Sequence, residues 1–396
     1  MVVVAAVIAA AVAFSHNGAS RSSRVAAPEP NSTAPADPNA TTTAVRKGTG
    51  PPSGKAPGSV TGPTALAGHP FKPALRGLLD RNGIPPAGYR DDMAGGVIRV
   101  RWADLQAAPG GDLAADNDID HTIAEVRALN ATRPSNPLGL KLRVTAGIDS
   151  PDWAKQLGGS PVAVHDPFSG ASGTAPRFWT DEFGAAYRDL QARLAARYDG
   201  VAELREVAIT RCTTVFAEPF LRQASDPATA GALVAAGLTE ALDERCLGQQ
   251  LQDHLAWTTT RSDLALNPYQ RVARPGSGSK GGSPVDLALT LRVMDLCRET
   301  LGTRCGLENN SLRTPVQAGN APIYDRMRVL GGPISFQTAS AERAGDLQAT
   351  IQSAIGYGAS SVELPESYTR TISNADFHGT FAPQSTGLGA QPSATG

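Results

Sequence analysis

The residue best placed to do chemistry is Glu218. It sits in the run Phe216-Ala217-Glu218-Pro219-Phe220, shortly after an apolar, β-branched stretch at 204–210. Apolar neighbours disfavour the charged form of a carboxyl and raise its pKa, which is what a general acid working near neutral pH requires. Other candidates stand at the ends of similar stretches: Trp102, then Asp149, Asp152 and Trp153 in GIDSPDW, Asn267 and Gln270 in LNPYQR, and Asn309 and Asn310 in ENNS. Aromatic rings stack on the C–H faces of sugars, and carboxylates and amides bond their hydroxyls. Clustered amides do so without adding charge, so they point to a neutral ligand. Trp153 and Trp179 suit packing beneath a loop equally well. Arg211, one residue past its stretch, is placed to meet Glu218 or Glu363 and keep one of them ionised. His165 and Arg177 fall in a Gly/Ser/Pro-rich insert at 155–180, whose length suits a hairpin or lid.

Positioning such residues takes a series of strands ending on one side. From Phe71 to about His378, short β-branched runs alternate with helical patterns, as a parallel sheet with crossover helices demands. Strands are expected at 96–102, 140–146, 204–210, 264–270, 305–311, 333–339 and 361–366. Helices are expected at 119–129, 181–198, 228–257, 284–302 and 343–358. Seven strands are visible, whereas a closed barrel needs eight. Either another lies in 71–95 or the sheet is open and doubly wound. No Gly-x-Gly-x-x-Gly, phosphate-cradling loop or Gly-x-Ser-x-Gly elbow follows any strand, so no nucleotide cofactor is expected.

The chain has 396 residues and a formal net charge of -1. That balance gives no basis for a nucleic-acid partner. Residues 2–14 form a charge-free apolar run, too short to span a bilayer and of the length of a signal-peptide core, so 1–14 is read as an export signal or truncated membrane anchor. Residues 15–68 are rich in Pro, Ser, Thr, Gly and Ala and are read as a disordered linker, with the folded domain at 69–380 and a similar tail at 381–396. The resulting localisation is secreted or cell-surface anchored. If Met1 is the true start and the run is no signal, the chain is instead cytoplasmic. Cys212, Cys246, Cys297 and Cys305 lack zinc or redox spacing, so no metal site is expected. In an exported chain, local pairing joins Cys297 to Cys305 and Cys212 to Cys246.

GGVIRVRWADL, LKLRVTAGIDSPDW and a strand leading to Ala-Glu-Pro together resemble the TIM-barrel glycoside hydrolases of the large retaining clan, over roughly residues 95–366. The resemblance implies a (β/α)8 barrel in which the visible strands are the second to the eighth, and it makes Glu218 the general acid/base. Two departures stand out. Ala217 replaces the Asn of the clan's Asn-Glu-Pro, and Gln337, in PISFQTAS, takes the place of the strand-7 nucleophile. An amide cannot form the glycosyl-enzyme that a carboxylate forms. Glu363 in SVELPE is the preferred second carboxylate, with Glu308 another option and Gln337 a substrate orienter. The expected function is hydrolysis of an extracellular or cell-surface glycan. The alternative is an inactive barrel that binds carbohydrate or scaffolds an envelope assembly.

Overall fold

The eighth strand lies at Gly77–Asp80, and it closes the sheet. In the computed structural model, which describes residues 71–272 and 285–389, eight parallel strands form a closed barrel. They are β1 (Gly77–Asp80), β2 (Met93–Arg101), β3 (Gly139–Thr145), β4 (Leu204–Ala208), β5 (Arg261–Ala265), β6 (Cys305–Leu312), β7 (Ile334–Thr338) and β8 (Ser361–Glu363). β1 pairs with β8 in the register Gly77↔Ser361 and Leu79↔Glu363, and with β2 on its other side. All four residues of β1 are buried, so it has no alternation for a sequence pattern to reveal. The open, doubly wound sheet is thereby excluded. The segments read as export signal (1–14) and linker (15–68) lie outside the described residues.

The helices surround the barrel: α1 (Asp118–Ala131), α2 (Asp181–Tyr198), α3 (Pro227–Ala235), α4 (Glu240–Asp253), α5 (Leu287–Leu301), α6 (Ala321–Leu330), α7 (Leu347–Gly356) and α8 (Asn374–Gly387), with shorter turns between. Most start on a side chain that accepts from the first-turn amides, as Asn117, Thr180, Asp226, Thr239, Asp286, Asp346 and Ser373 do. The helix expected at 228–257 is two helices. Gly237 takes a left-handed φ of 96°, its amide reaches Val234 O and that of Leu238 reaches Leu233 O, and Thr239 caps a new start. α6 carries Pro322 in its first turn and was not apparent as a helix from its sequence. α8 runs past the boundary placed at residue 380, because Phe381 and Leu388 are buried. The insert at 155–180 forms an antiparallel hairpin, Val162–His165 with Ser172–Ala175.

The main apolar core lies between the outer barrel surface and the helices. On β3, Leu140, Leu142 and Val144 belong to it, while Lys141 and Arg143 turn into the barrel, as the two-residue period of a strand requires. β5 is offset from its expected place at 264–270 for the same reason. Its first residues are polar because Asp263 faces the barrel interior, and Pro268 lies beyond its end. Gly306 makes room for that carboxylate, since a Cβ there would stand 1.8 Å from Asp263 Oδ1. Both disulfides are formed as expected, Cys212–Cys246 and Cys297–Cys305.

Candidate active site

The barrel interior is charged rather than apolar. Lys141 on β3 places its ammonium 2.8 Å from Glu308, 3.0 Å from Asp263 and 3.3 Å from Glu363, all in full burial. One register step towards the carboxyl ends of the strands, Arg143 spans the barrel. Nη2 donates to Glu363 Oε1 at 2.8 Å and to Glu308 Oε1 at 3.2 Å, while Nη1 donates to Glu363 Oε2 and to Gln337 Oε1, both at 3.2 Å. Glu363 and Gln337 are register partners on β8 and β7. Lower down, Glu206 on β4 accepts the amide of Leu75 at 2.9 Å.

Burial acts against every charge here, and the neighbours decide which charges persist. Burial alone would raise the Glu363 carboxyl. Arg143, Lys141 and Arg81 outweigh it and hold Glu363 well below the ordinary range, ionised at neutral pH. Burial also disfavours the charged forms of Lys141 and Arg143, but the surrounding carboxylates keep both protonated. Glu308 differs. Burial, with repulsion from Glu363 and Asp263, exceeds the help from Lys141 and Arg143 and pushes its carboxyl up to about 7. Glu206 is raised by burial and then by Asp263. The centre of the acidic cluster is occupied by Lys141 Nζ, and among the described residues no three His, Cys, Asp or Glu side chains are arranged to hold a metal ion.

Glu218 lies above this network, on the loop between β4 and α3. Its side chain is only 3% exposed. Oε1 accepts from Asn310 Nδ2 at 2.7 Å, and Asn310 stands two residues beyond Glu308 on the inner face of β6. Arg143 lies within electrostatic range of Glu218, so the guanidinium that binds Glu363 also senses this carboxylate. The loop is fixed near its β4 end. Thr213 Oγ1 donates to Glu218 O at 3.3 Å, and the amide of Ile148 donates to Thr214 O at 2.9 Å. Gly147 permits that second contact, with a φ of 58° and a hypothetical Cβ only 2.1 Å from Thr214 O.

The sequence-derived candidates therefore divide. Glu218, Asn310, Glu363, Glu308 and Gln337 gather around Arg143. Asp149 is half-buried in the β3–α2 connection and lies in the field of Arg101. The others serve the packing. Trp102 is fully buried, edge-on to Trp153 and Tyr187, and its Nε1 donates to Gln106 Oε1 at 3.0 Å. Trp153 Nε1 donates to Gln106 O at 3.1 Å. Trp102 packs against Phe183 and Tyr187 of α2, and Trp153, half-buried, stands edge-on to it. Arg211 meets neither Glu218 nor Glu363, because it is 1% exposed and bound to Asp253 and Gln249 on α4. Asn309 faces outward, accepting from Tyr324 Oη on α6 at 2.7 Å and donating to Leu266 O. Asn267 accepts from Ser311 Oγ, and Gln270 Oε1 takes the Arg222 amide. These amides bond the protein itself, so the argument they gave for a neutral ligand lapses.

Sequence reasoning missed Lys141, Arg143 and Arg99. The signal was present in the alternation Lys-Leu-Arg-Val-Thr on β3 and Val-Ile-Arg-Val-Arg on β2, where charges recur on the face that closure turns inward.

No known protein family matches the chain, and neither does any curated protein. Solved structures with a similar fold include the catalytic domain of beta-amylase from Paenibacillus polymyxa, at 12% identity and TM-score 0.47, covering 80% of this chain and 98% of that one. Endo-glycoceramidase II from Rhodococcus sp., solved as a lactosyl-enzyme intermediate, is 12% identical with TM-score 0.41, covering 74% and 72%. The cold-adapted beta-galactosidase from Rahnella sp. R3 is 13% identical with TM-score 0.47, covering 80% of this chain and 56% of the other.

Proposed function

We propose that the barrel acts on a glycan outside the cell, at the carboxyl ends of its strands, as a glycoside hydrolase with Glu218 as general acid/base. The observation that carries this reading is the placement of two carboxylates, from the ends of different strands, around one guanidinium. Arg143 binds Glu363 through both nitrogens and lies in the field of Glu218. Hydrolysis needs one carboxyl that gives up a proton and another that stays ionised to meet positive charge developing at the sugar. Glu363 is held ionised by Arg143 and Lys141. Glu218, buried and bonded to Asn310 at the strand ends, is assigned the other role. The two disulfides fit an oxidising compartment, in keeping with a secreted or surface-anchored protein acting on carbohydrate.

The test is turnover of activated aryl glycosides. E218Q is expected to lower kcat by about 10²–10⁴-fold, the usual contribution of a general acid, with an unchanged circular dichroism spectrum. Unchanged rates would remove Glu218 from the mechanism.

One observation favours a second reading, in which the barrel binds glycan without cleaving it. Both oxygens of Glu363 are already engaged by Arg143 in full burial, and Gln337 beside it bears no charge. A binder would show glycan-dependent thermal stabilisation and no product.

A further inference from the structure

The near-neutral composition conceals a concentration of arginines at one end of the barrel. Arg99 on β2 is the register partner of Arg143 on β3, so the two side chains stand on the same, inner face of the sheet. Its neighbours Ile98 and Val100 are buried in the outer core, which confirms the direction. Yet Arg99 is exposed, whereas Arg143 is not. An inward side chain in the last third of a barrel strand reaches solvent through the mouth. Arg99 also makes no hydrogen bond or ion pair among the described residues, unlike Arg101, which is bound to Asp104, and Arg143, which is bound to Glu363 and Glu308.

Other positive groups lie around the same end. Arg81, just past β1, donates to Thr338 and lies in the field of Glu363. Arg313, just past β6, lies within electrostatic range of Arg343 in the β7–α7 connection. Of the acids at this end, Glu218 already accepts from Asn310 and Asp149 lies in the field of Arg101.

We infer that this mouth takes an acidic sugar, one bearing a carboxylate or another oxyanion, and that Arg99 is the residue that selects it. A guanidinium binds an oxyanion through two parallel N–H donors, stronger than bonds between neutral groups. Arg99 presents that fork unpaired, one strand away from Arg143, which binds Glu363. The assignment rests on the carbohydrate reading above and narrows its substrate class.

The experiment measures binding, not cleavage. Affinities of the full chain are compared for three probes of equal length: a tetragalacturonate, the neutral tetragalactoside, and the same galactoside carrying sulfate. The expected result is binding of at least one acidic probe about tenfold tighter than the neutral one, a preference that shrinks as salt is raised. The carboxylate and sulfate arms tell which oxyanion is preferred. R99Q is expected to abolish the preference while leaving neutral binding unchanged, and R99K to retain part of it. R292Q, which removes an exposed arginine paired with Glu244 on the outer helices, is the control for net charge and keeps the preference. Equal binding of charged and neutral probes, or a preference that survives in R99Q, overturns the inference and leaves the carbohydrate reading standing. If none of the three binds, both fall.

Discussion

Replacing Arg143 by Met tests whether the charged interior is a single unit. The substitution roughly preserves the side chain's length and removes four donated hydrogen bonds: two to Glu363, one to Glu308 and one to Gln337. What remains is Lys141, facing Asp263, Glu308 and Glu363 in full burial, with Arg81 adding a weaker field at Glu363. Removing one partner of a buried ion pair costs about 3–5 kcal/mol, because the other charge is left uncompensated. For a domain of this size, each kcal/mol lowers the Tm by about 2 °C, so R143M is expected to melt about 6–10 °C lower. The cost also depends on pH. Glu308 has a carboxyl raised to about 7, so at pH 5.5 it is already mainly neutral and asks less of Arg143 than at pH 8. Urea unfolding of wild type and R143M at both pH values therefore gives a larger difference at pH 8. R143K, which keeps the charge but cannot span Glu363 and Gln337 together, is expected to fall between the two. A loss below about 1 kcal/mol at pH 8, with unchanged m-values, would refute the claim that Arg143 organises the interior.

Further outcomes follow from other parts of the molecule. His254 is fully buried, bonded to Ser262 and near Tyr187 Oη, and burial pushes its pKa down to about 3. The unfolded chain takes up that proton first, so the stability due to neutral His254 is complete above about pH 6.5 and falls below it. Between pH 6.5 and 5 the loss is about 2 kcal/mol, and H254N should lack it in urea titrations across that window. Glu308 acts in the opposite sense, its contribution declining as pH rises from about 4.5 to 7, and comparing H254N with wild type separates the two. Opening Cys212–Cys246, with a sequence separation of 34, is expected to cost about 4 kcal/mol, and opening Cys297–Cys305, with a separation of 8, about 2.5 kcal/mol, by loop entropy. Calorimetry of the two double-alanine variants would show whether that order holds. G147A should lower stability by about 1–3 kcal/mol, through its left-handed φ and the collision with Thr214 O, and should reduce any glycosidase activity, because that contact seats the loop bearing Glu218.

The barrel was legible where strands alternated with amphipathic helices. α2 was expected at 181–198 and is found there, since a capping Thr180 and a continuous apolar face define it locally. β1 was hidden because four buried residues without alternation look like any short apolar stretch. The candidate site was legible only in part, for a related reason. A polar residue at a strand end looks the same whether it points into the barrel or out to a helix. Asn309 and Asn310 are adjacent in sequence, yet one bonds Tyr324 and the other Glu218. Direction becomes readable from alternation along the whole strand, and on β3 that alternation singles out Lys141 and Arg143. The basic mouth was invisible for a different reason: its arginines come from separate strands and connections, and net charge carries no information about where chain closure brings them together.

The Cys212–Cys246 bond has a consequence beyond its share of the folding energy. It anchors the β4–α3 loop to α4 at the residue before Thr213, which in turn holds the backbone of Glu218. The Glu218 side chain is thus set in place by oxidation as well as by folding. Reduction of this bond would leave the barrel closed by its own strand pairing but release the loop bearing Glu218 from α4, so the position of that side chain depends on the redox state of its surroundings.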